Sequence, residues 1–462
     1  MKGRFLSLRF ILPLCLGLRL TVFLVMQPWA YTVREQIILQ NDSPLYHRLA
    51  CNLLDYGGFL SDGTGGPPGL NPAPVKGQPD DLRTPLYPLF IAAVYGLLGR
   101  VPWAVCAVQI LLDTLTCALL FLILRRALGA RPAAIAALFY ALDPFIILYS
   151  CALLTEILFL FFVVVALGVY VALIRDGRHS FRSLGYALLG LVLGGATLIR
   201  PISQYLPAVL VLFVLYVERH RWKTALLSVC ALVVAFALAL SPWLIRNEKT
   251  FGRASLTYIG AWDLLALNVA MTEAPERKLD VRTAQSDLLA EADRWMIADG
   301  RNPAELSNLQ KSAYWQELAL RYVMKDPLRF GWYHLKGMGR VLFSLGTGDF
   351  ARMLRTGNTT AENTGKTPFQ WAIAPLLLAF LIITYAGAVA GLIIGWRTQD
   401  RRVLILCMLL ALYFVSATGA LGVVRLKLPA IPFYLPFTGI GWDWWWERRQ
   451  DRRSGRTRIT AT

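Results

Sequence analysis

The sequence predicts an all-α protein that crosses a membrane many times, and three observations predict it. First, 56% of the 462 residues are hydrophobic and only 16% charged, with a mean hydropathy of +0.50. A soluble globular chain carries about a quarter charged residues. Second, apolar runs of about 18 to 24 residues recur, each long enough to cross a hydrocarbon layer of ~30 Å as a helix. Third, the net charge of +18 is concentrated in short basic clusters between those runs, where the positive-inside rule places cytoplasmic loops. The clusters are Lys2/Arg4, Arg125/Arg126/Arg131, Arg175/Arg178/Arg182, Arg219/Arg221/Lys223, Arg397/Arg401/Arg402 and the tail from Arg448 to Arg458. Orientation therefore accounts for the basic balance, and nucleic acid is not implied as a partner.

Alternating the basic ends gives ten spans near 5–26, 103–124, 132–149, 153–174, 183–199, 203–217, 224–244, 371–396, 403–422 and 429–446. An even number puts both termini on the cytoplasmic side of the inner membrane. Arg9 and Arg19 interrupt the first run and no A-x-A cleavage pattern follows it cleanly, so it reads as a retained span. An arginine inside a span costs about 2.5–3.5 kcal/mol on insertion scales, so Arg19 either snorkels or faces the bundle.

The chain thus divides into a membrane module of about seven spans (1–245), an outer segment (246–370) and a module of about three spans with a basic tail (371–462). The first outer loop, 27–101, contains a stretch from Ser61 to Asp81 rich in Gly, Pro and Asp that reads as loop. In the outer segment, Ser312 to Met324 and Leu328 to Leu345 alternate polar and apolar residues as amphipathic helices do.

The seven cysteines are isolated, which excludes a disulfide framework or a CxxC metal site; Cys51 and Cys151 are expected to be exposed on the outer side. Four histidines, two of them in cytoplasmic loops, make an imidazole zinc site a poor fit. A divalent cation, Mg²⁺ or Mn²⁺, is the metal chemistry open to the chain, held by oxygens of Asp42, Glu156 or Asp143. Neither a GxxxxGK[ST] loop nor a GxGxxG fingerprint is present.

Candidate site residues gather at the outer ends of the spans. Asp42, Tyr46 and Ala50 recur at i, i+4 and i+8 and would share one face of a short helix, with Asp42 either its N-cap or a functional carboxylate. Arg83-Thr84-Pro85-Leu86-Tyr87-Pro88 places an arginine and a tyrosine on a rigid turn where the chain returns to the membrane, suited to a phosphate. Asp143, Tyr149 and Glu156 sit near the outer mouth. Glu156 is either a first-turn acid favoured by the helix dipole or a site residue. Asp113, four residues after Gln109 deep in the second span, is expected to hydrogen-bond a neighbouring helix. Arg200, Arg246, Arg425 and Lys427 break the positive-inside pattern by lying at outer ends.

In order, Asp42-x3-Tyr46-x3-Ala50, Arg83-Thr-Pro-Leu-Tyr-Pro, Leu153-Leu-Thr-Glu156, Gly194-Gly-Ala-Thr-Leu-Ile-Arg200-Pro201, Pro242-Trp-Leu-Ile-Arg246-Asn247 and Arg425-Leu-Lys-Leu-Pro429-x2-Pro432 resemble the C-type glycosyltransferases that use polyprenyl-phosphate sugars. Protein O-mannosyltransferases, the lipid A aminoarabinose transferase and galacturonosyltransferases of lipopolysaccharide core belong to this family. The resemblance implies Asp42 as the essential aspartate of the first outer loop and Glu156 as the second acid. It also implies a polyprenyl-phosphate-linked sugar as donor, handled on the outer face of the membrane. The mannosyltransferases carry Asp-Glu in that loop where this chain has Asp42-Ser43, which argues against a close mannosyltransferase, so metal dependence does not carry over; a long soluble C-terminal domain like that of the oligosaccharyltransferases is not expected, so neither does the acceptor.

The chemistry of the residues agrees with a single displacement that inverts the anomeric carbon. A phosphate leaving group needs cations rather than a proton donor, so one carboxylate base suffices, whereas a glycosidase needs two. Arg83, Arg200, Arg246, Arg425 and Lys427 form the pool for the donor phosphate. The competing classes are a lipid-sugar flippase or transporter, which predicts midplane charges and paired repeats, a glycan ligase or polymerase, and a scaffold protein.

Overall fold

The structure is a computed structural model of the chain and describes residues 7–29, 42–61, 77–175, 182–217, 219, 221–354 and 367–454. From the N-terminus run α1 (Leu8–Met26), α2 (Ser43–Tyr56), α3 (Leu86–Leu98), α4 (Pro102–Leu128), α5 (Ala130–Leu142), α6 (Pro144–Ser150), α7 (Glu156–Arg175), α8 (Arg182–Ile199), α9 (Leu206–Val217) and α10 (Trp222–Phe251). Then come α11 (Ile259–Trp262), α12 (Ala270–Glu276), α13 (Val281–Ala298), α14 (Asn308–Lys325), α15 (Pro327–Phe343) and α16 (Thr347–Met353). The last three are α17 (Pro368–Thr398), α18 (Arg401–Ser416) and α19 (Ile431–Ser454).

Helix underlies the larger part of each expected span; residues 5–6 lie outside the described residues, α7 starts three residues late, and 417–422, past the end of α18, are not helical. Six helices among the described residues, α1, α4, α7, α8, α10 and α17, are long and apolar enough to cross a membrane, and α5 with α6 forms a pair bent by 54°. The bend sits at Asp143-Pro144: proline cannot donate to the preceding turn, and Asp143 Oδ1 accepts the free N–H groups of Phe145 (3.0 Å) and Ile146 (3.1 Å) to start a new helix. The short run near 203–217 opens with a 3₁₀ turn at Pro201–Ser203 before α9.

The bundle is assembled by α8 against α10, α17 against α19, and a centre of α4, α5, α7 and α19. Small residues let two of these backbones touch. A Cβ on Gly391 of α17 would lie 1.8 Å from the carbonyl oxygen of Phe437 in α19, so that crossing tolerates no side chain. The buried charge expected at Arg19 faces inward. Fully enclosed, its Nε pairs with Asp113 and its Nη1 donates to the carbonyls of Cys15 and Ala141 (3.0 Å each), while the Tyr140 hydroxyl donates to Asp113. One network thus ties α1, α4 and α5 together where no water is at hand.

Outside the bundle, α13, α14 and the π-helical turn Asp263–Val269 share a separate apolar core with Leu265, Leu288, Met296 and Trp315. The two amphipathic stretches are α14 and α15. Two expectations are corrected. Cys51 and Cys151 are buried rather than exposed, because α2 and the turn after α6 pack inward, and all seven cysteines are free. The Ser61–Asp81 stretch is not all loop: Leu60–Ser61 and Gln78–Pro79 pair as a short antiparallel ladder, and 62–76 lie outside the described residues.

Candidate active site

The site begins with a helix that its first residue does not cap. Asp42 precedes α2 with φ −82° and ψ −10°, a helical rather than an extended conformation, and its side chain accepts no capping hydrogen bond. Both carboxylate oxygens turn to cations instead. Arg83 Nη2 donates to Oδ1 at 2.8 Å, and Arg425 Nη2, from the other end of the chain, donates to Oδ2 at 3.1 Å.

Each arginine is aimed by its neighbours. Asp80 Oδ1 accepts the N–H groups of Leu82 (3.1 Å) and Arg83 (2.9 Å), closing the turn that presents Arg83. The Arg83 guanidinium lies over the Tyr46 ring at 5.2 Å, one turn along α2 from Asp42. Thr84 donates to the carbonyl of Ile199 (3.2 Å) at the C-terminus of α8, which brings the Arg83 turn to Arg200. Pro201 forces Arg200 into extended backbone (φ −140°, ψ 117°) and off the helix, and its Nη1 meets Glu156 Oε1 at 2.7 Å. Arg425 lies on the 3₁₀ turn Val424–Ala430 that leads into α19.

Asp42, Arg83, Arg200, Arg425, Glu156 and Tyr46 therefore converge: Tyr46 feels the charges of Asp42, Glu156, Arg83 and Arg200, and Arg425 those of both acids. Burial alone would raise the Asp42 carboxyl, but Arg83, Arg425 and Arg200 outweigh it and hold it below the ordinary aspartate value. Glu156, 2% exposed, keeps Oε2 without a hydrogen-bond partner among the described residues.

Of the other candidates, Arg246, Lys427 and Asp143 stand apart, whereas two tyrosines border the cluster: Tyr149 feels the charges of Glu156 and Arg425, and Tyr87 packs edge-on against the Tyr46 ring. Arg246 is committed to structure: it donates to the carbonyls of Asp80 (2.7 Å) and Phe59 (3.2 Å) and stacks on Trp243 at 4.7 Å. Lys427 points away from Asp42, over the Phe145 ring at 4.3 Å. Asp143 caps α6. Tyr87 is enclosed and donates to Gln109 Oε1 (2.7 Å), whose amide reaches the Ala152 carbonyl. Tyr149 donates to Asp349 (3.2 Å), itself paired with Arg352.

Sequence reasoning missed Asp263, which opens the π-helical turn. Burial raises its carboxyl to about 6, with Arg83 and Arg425 pulling down and Asp42 pushing up, so it faces the same cluster. The turn is held to the bundle by Asn268, which donates to the Asp263 carbonyl (2.9 Å) and accepts from the Ala420 N–H. No motif announces this, because a π-helical turn has no residue signature.

No group of three or more His, Cys, Asp or Glu side chains suited to a metal occurs among the described residues. Three guanidiniums face Asp42 and Glu156, with one positive charge uncancelled whenever Asp263 is protonated, and guanidinium donors suit an anion rather than a divalent cation.

Residues 82–245 match the sequence profile of the Dolichyl-phosphate-mannose-protein mannosyltransferase family. No curated protein sequence matches the chain. Among solved structures, it is similar to the archaeal oligosaccharyltransferase AglB from Archaeoglobus fulgidus in complex with an inhibitory peptide and a dolichol-phosphate. The identity is 15% and the TM-score 0.54, over 97% of this chain and 52% of that one. The same enzyme tethered with an acceptor peptide gives 14% and 0.53 over 97% and 52%. ArnT from Cupriavidus metallidurans overlaps more loosely, with 16% identity and a TM-score of 0.42 over 93% and 77%. The chain spans about half the length of the archaeal enzyme. It is thus a polytopic membrane protein with a fold similar to that of the archaeal oligosaccharyltransferase, and its segment 82–245 matches the dolichyl-phosphate-mannose-protein mannosyltransferase profile.

Proposed function

We propose that the protein is a membrane glycosyltransferase that moves a sugar from a polyprenyl-phosphate donor to a hydroxyl acceptor on the outer face of the cytoplasmic membrane, with inversion. One observation carries the reading: Asp42 is held between Arg83 and Arg425 instead of capping its helix, beside the Arg200–Glu156 pair. An acid and a cluster of cations in one place are the two halves of a displacement at a sugar phosphate. Further support comes from the profile match over 82–245 and from the fold shared with an enzyme seen with a dolichol-phosphate. The basic clusters at the loops away from the site support the outer side as its location.

In the reaction, the acceptor oxygen forms a bond to the anomeric carbon as the bond from that carbon to the phosphate oxygen breaks. The electron pair leaves with the phosphate, whose added charge Arg83, Arg200 and Arg425 absorb, and the acceptor proton passes to Asp42. Glu156, through its open Oε2, orients the acceptor hydroxyl. Asp42 is a weak base while two guanidiniums grip it. When those guanidiniums turn to the donor phosphate the carboxylate is released, so donor binding and base activation are one event. The test is purified protein incubated with a labelled polyprenyl-phosphate sugar and cell-envelope membranes. Label should move from donor to acceptor, and short-chain polyprenyl phosphate, but not a nucleotide sugar, should raise the unfolding temperature. Donor left intact alongside full stabilisation by nucleotide sugars would refute the proposal.

A further inference from the structure

Arg425 reaches Asp42 from a loop that the segment between α10 and α17 holds in place. Residues 417–423 join α18 to the 3₁₀ turn that carries Arg425. Three side chains from that segment grip the loop's backbone at and just after its start. His334 Nε2 donates to the carbonyl of Ser416 (2.6 Å), Arg340 Nη2 donates to the carbonyl of Ala420 (2.6 Å), and Asn268 accepts the Ala420 N–H. Backbone also meets backbone here. A Cβ on Gly337 of α15 would lie 2.1 Å from the Gly419 carbonyl oxygen, and one on Gly422 would lie 2.5 Å from that of Gly337. Gly419 and Gly422 have φ of +67° and +61°, a conformation that residues with side chains rarely adopt.

One face of α15 makes these contacts, and the other is apolar. His334, Gly337 and Arg340 follow one another at helical spacing, whereas Leu328, Trp332, Leu335 and Phe343 form a stripe on the far side and are exposed. α15 contains no acid, and Lys336, at the border of the stripe, folds its ammonium over the rings of Trp332 (5.1 Å) and Tyr333 (4.9 Å). Its depth follows from the spans beside it. Ser416, the partner of His334, ends the 16-residue helix α18 and stands about 22 Å from the basic start of that helix at Arg401. The Tyr385 hydroxyl donates to the Leu342 carbonyl (2.9 Å) and its ring meets Phe343, about 18 Å along α17 from Arg397. Both heights fall short of a hydrocarbon layer of ~30 Å, and tilting either helix lowers them. The axis of α15 therefore runs near the membrane plane and below its surface, with the apolar stripe toward lipid.

We infer that α15 is a positioning element for the donor site: seated among the acyl chains of the leaflet on the site's side, it holds the 417–423 loop through Arg340 and His334 and so places Arg425 against Asp42. Arg340 is the positioning residue that a substitution isolates, because its guanidinium meets Ala420 from the edge of α15 and its removal leaves the glycine contacts in place. The inference rests on the reading of Arg425 as a ligand of the donor phosphate. It extends that reading by making donor binding depend on side chains outside the Asp42 cluster and on how α15 sits in lipid.

Two measurements on the full-length protein in lipid nanodiscs test this. Phospholipid carrying a nitroxide at mid-chain should quench the fluorescence of Trp332, taken as wild type minus Trp332→Phe, more strongly than aqueous iodide does. For short-chain polyprenyl phosphate, Arg425→Gln should raise the Kd about tenfold, the scale of a charge-assisted hydrogen bond, and Arg340→Met about fivefold. Arg340→Lys, which keeps a cationic donor for the Ala420 carbonyl, should recover most of that loss. Arg340→Met added to Arg425→Gln should weaken binding no further, whereas damage unrelated to Arg425 would add to it. Stronger quenching by iodide, additive losses, or wild-type donor affinity in Arg340→Met while Arg425→Gln is impaired would overturn this inference alone. Wild-type affinity in Arg425→Gln would overturn it together with the donor reading of the site.

Discussion

Asp42→Asn is the perturbation that separates the two jobs assigned to the site. The carboxylate takes one guanidinium contact at 2.8 Å and another at 3.1 Å, with its side chain 29% exposed. Charge-assisted bonds of this kind contribute about 1.5–3 kcal/mol each when desolvated, and partial exposure reduces the pair to about 2 kcal/mol in total. A donor phosphate has to displace at least part of that to recruit Arg83 and Arg425. Asparagine keeps the shape and loses the charge, so the donor should bind about tenfold more tightly, one decade per 1.4 kcal/mol. Turnover should fall by about 10²–10⁴, the range for a lost general base. The assay pairs transfer of labelled sugar with the Kd for short-chain polyprenyl phosphate. Opposite movement of the two readouts is the signature. Turnover close to wild type would remove Asp42 from the chemistry, and weaker donor binding would make it part of the phosphate clamp.

Asp263→Asn tests the third acid. Its folded-state value is raised from 3.8 to about 6, so the cost of ionising it is fully present above about 6 and lifts as the proton returns below. The variant should therefore unfold at a higher temperature than wild type at neutral pH, with the gain shrinking as pH falls through about 6. Its donor affinity should exceed wild type at neutral pH and match it in acid, a comparison that cancels the titration of the phosphate itself. Arg200→Gln should weaken donor binding and leave Glu156 without its partner, and the double change Arg200→Gln/Glu156→Gln should restore stability but not transfer, as read by melting and by sugar transfer. Arg19→Met should destabilise by about 3–5 kcal/mol in denaturant titration by stranding Asp113, whereas Arg19→Met/Asp113→Leu should cost much less. If the double change is as costly as the single one, the network's value lies in packing rather than charge.

The helices were legible because their cause is local. Apolar run length and basic flanks put helix under each expected span, although six helices among the described residues, seven with the bent pair, are long and apolar enough to cross a membrane, and alternating polarity placed α14 and α15. Long-range geometry was not. The sequence around Asp42 reads equally well as a helix cap, and Arg83 and Arg425, 41 and 383 residues away, decide against it. Arg200 could be placed because the following proline dictates local backbone. Arg246 and Lys427 look the same in sequence as the arginines of the site, being cations at span ends, and differ only in what the fold packs beside them: backbone carbonyls for one, the Phe145 ring for the other. Asp263 was invisible because a π-helical turn carries it into the cluster. Cys51 and Cys151 misled because position near a loop says little about which way a helix face turns.

The most direct test of the central claim is a structure of the protein with a short-chain polyprenyl phosphate bound. The phosphate should lie within hydrogen-bond distance of at least two of Arg83, Arg200 and Arg425, with Asp42 released by at least one guanidinium. A phosphate seated away from all three, with Asp42 still gripped by both arginines, would contradict it.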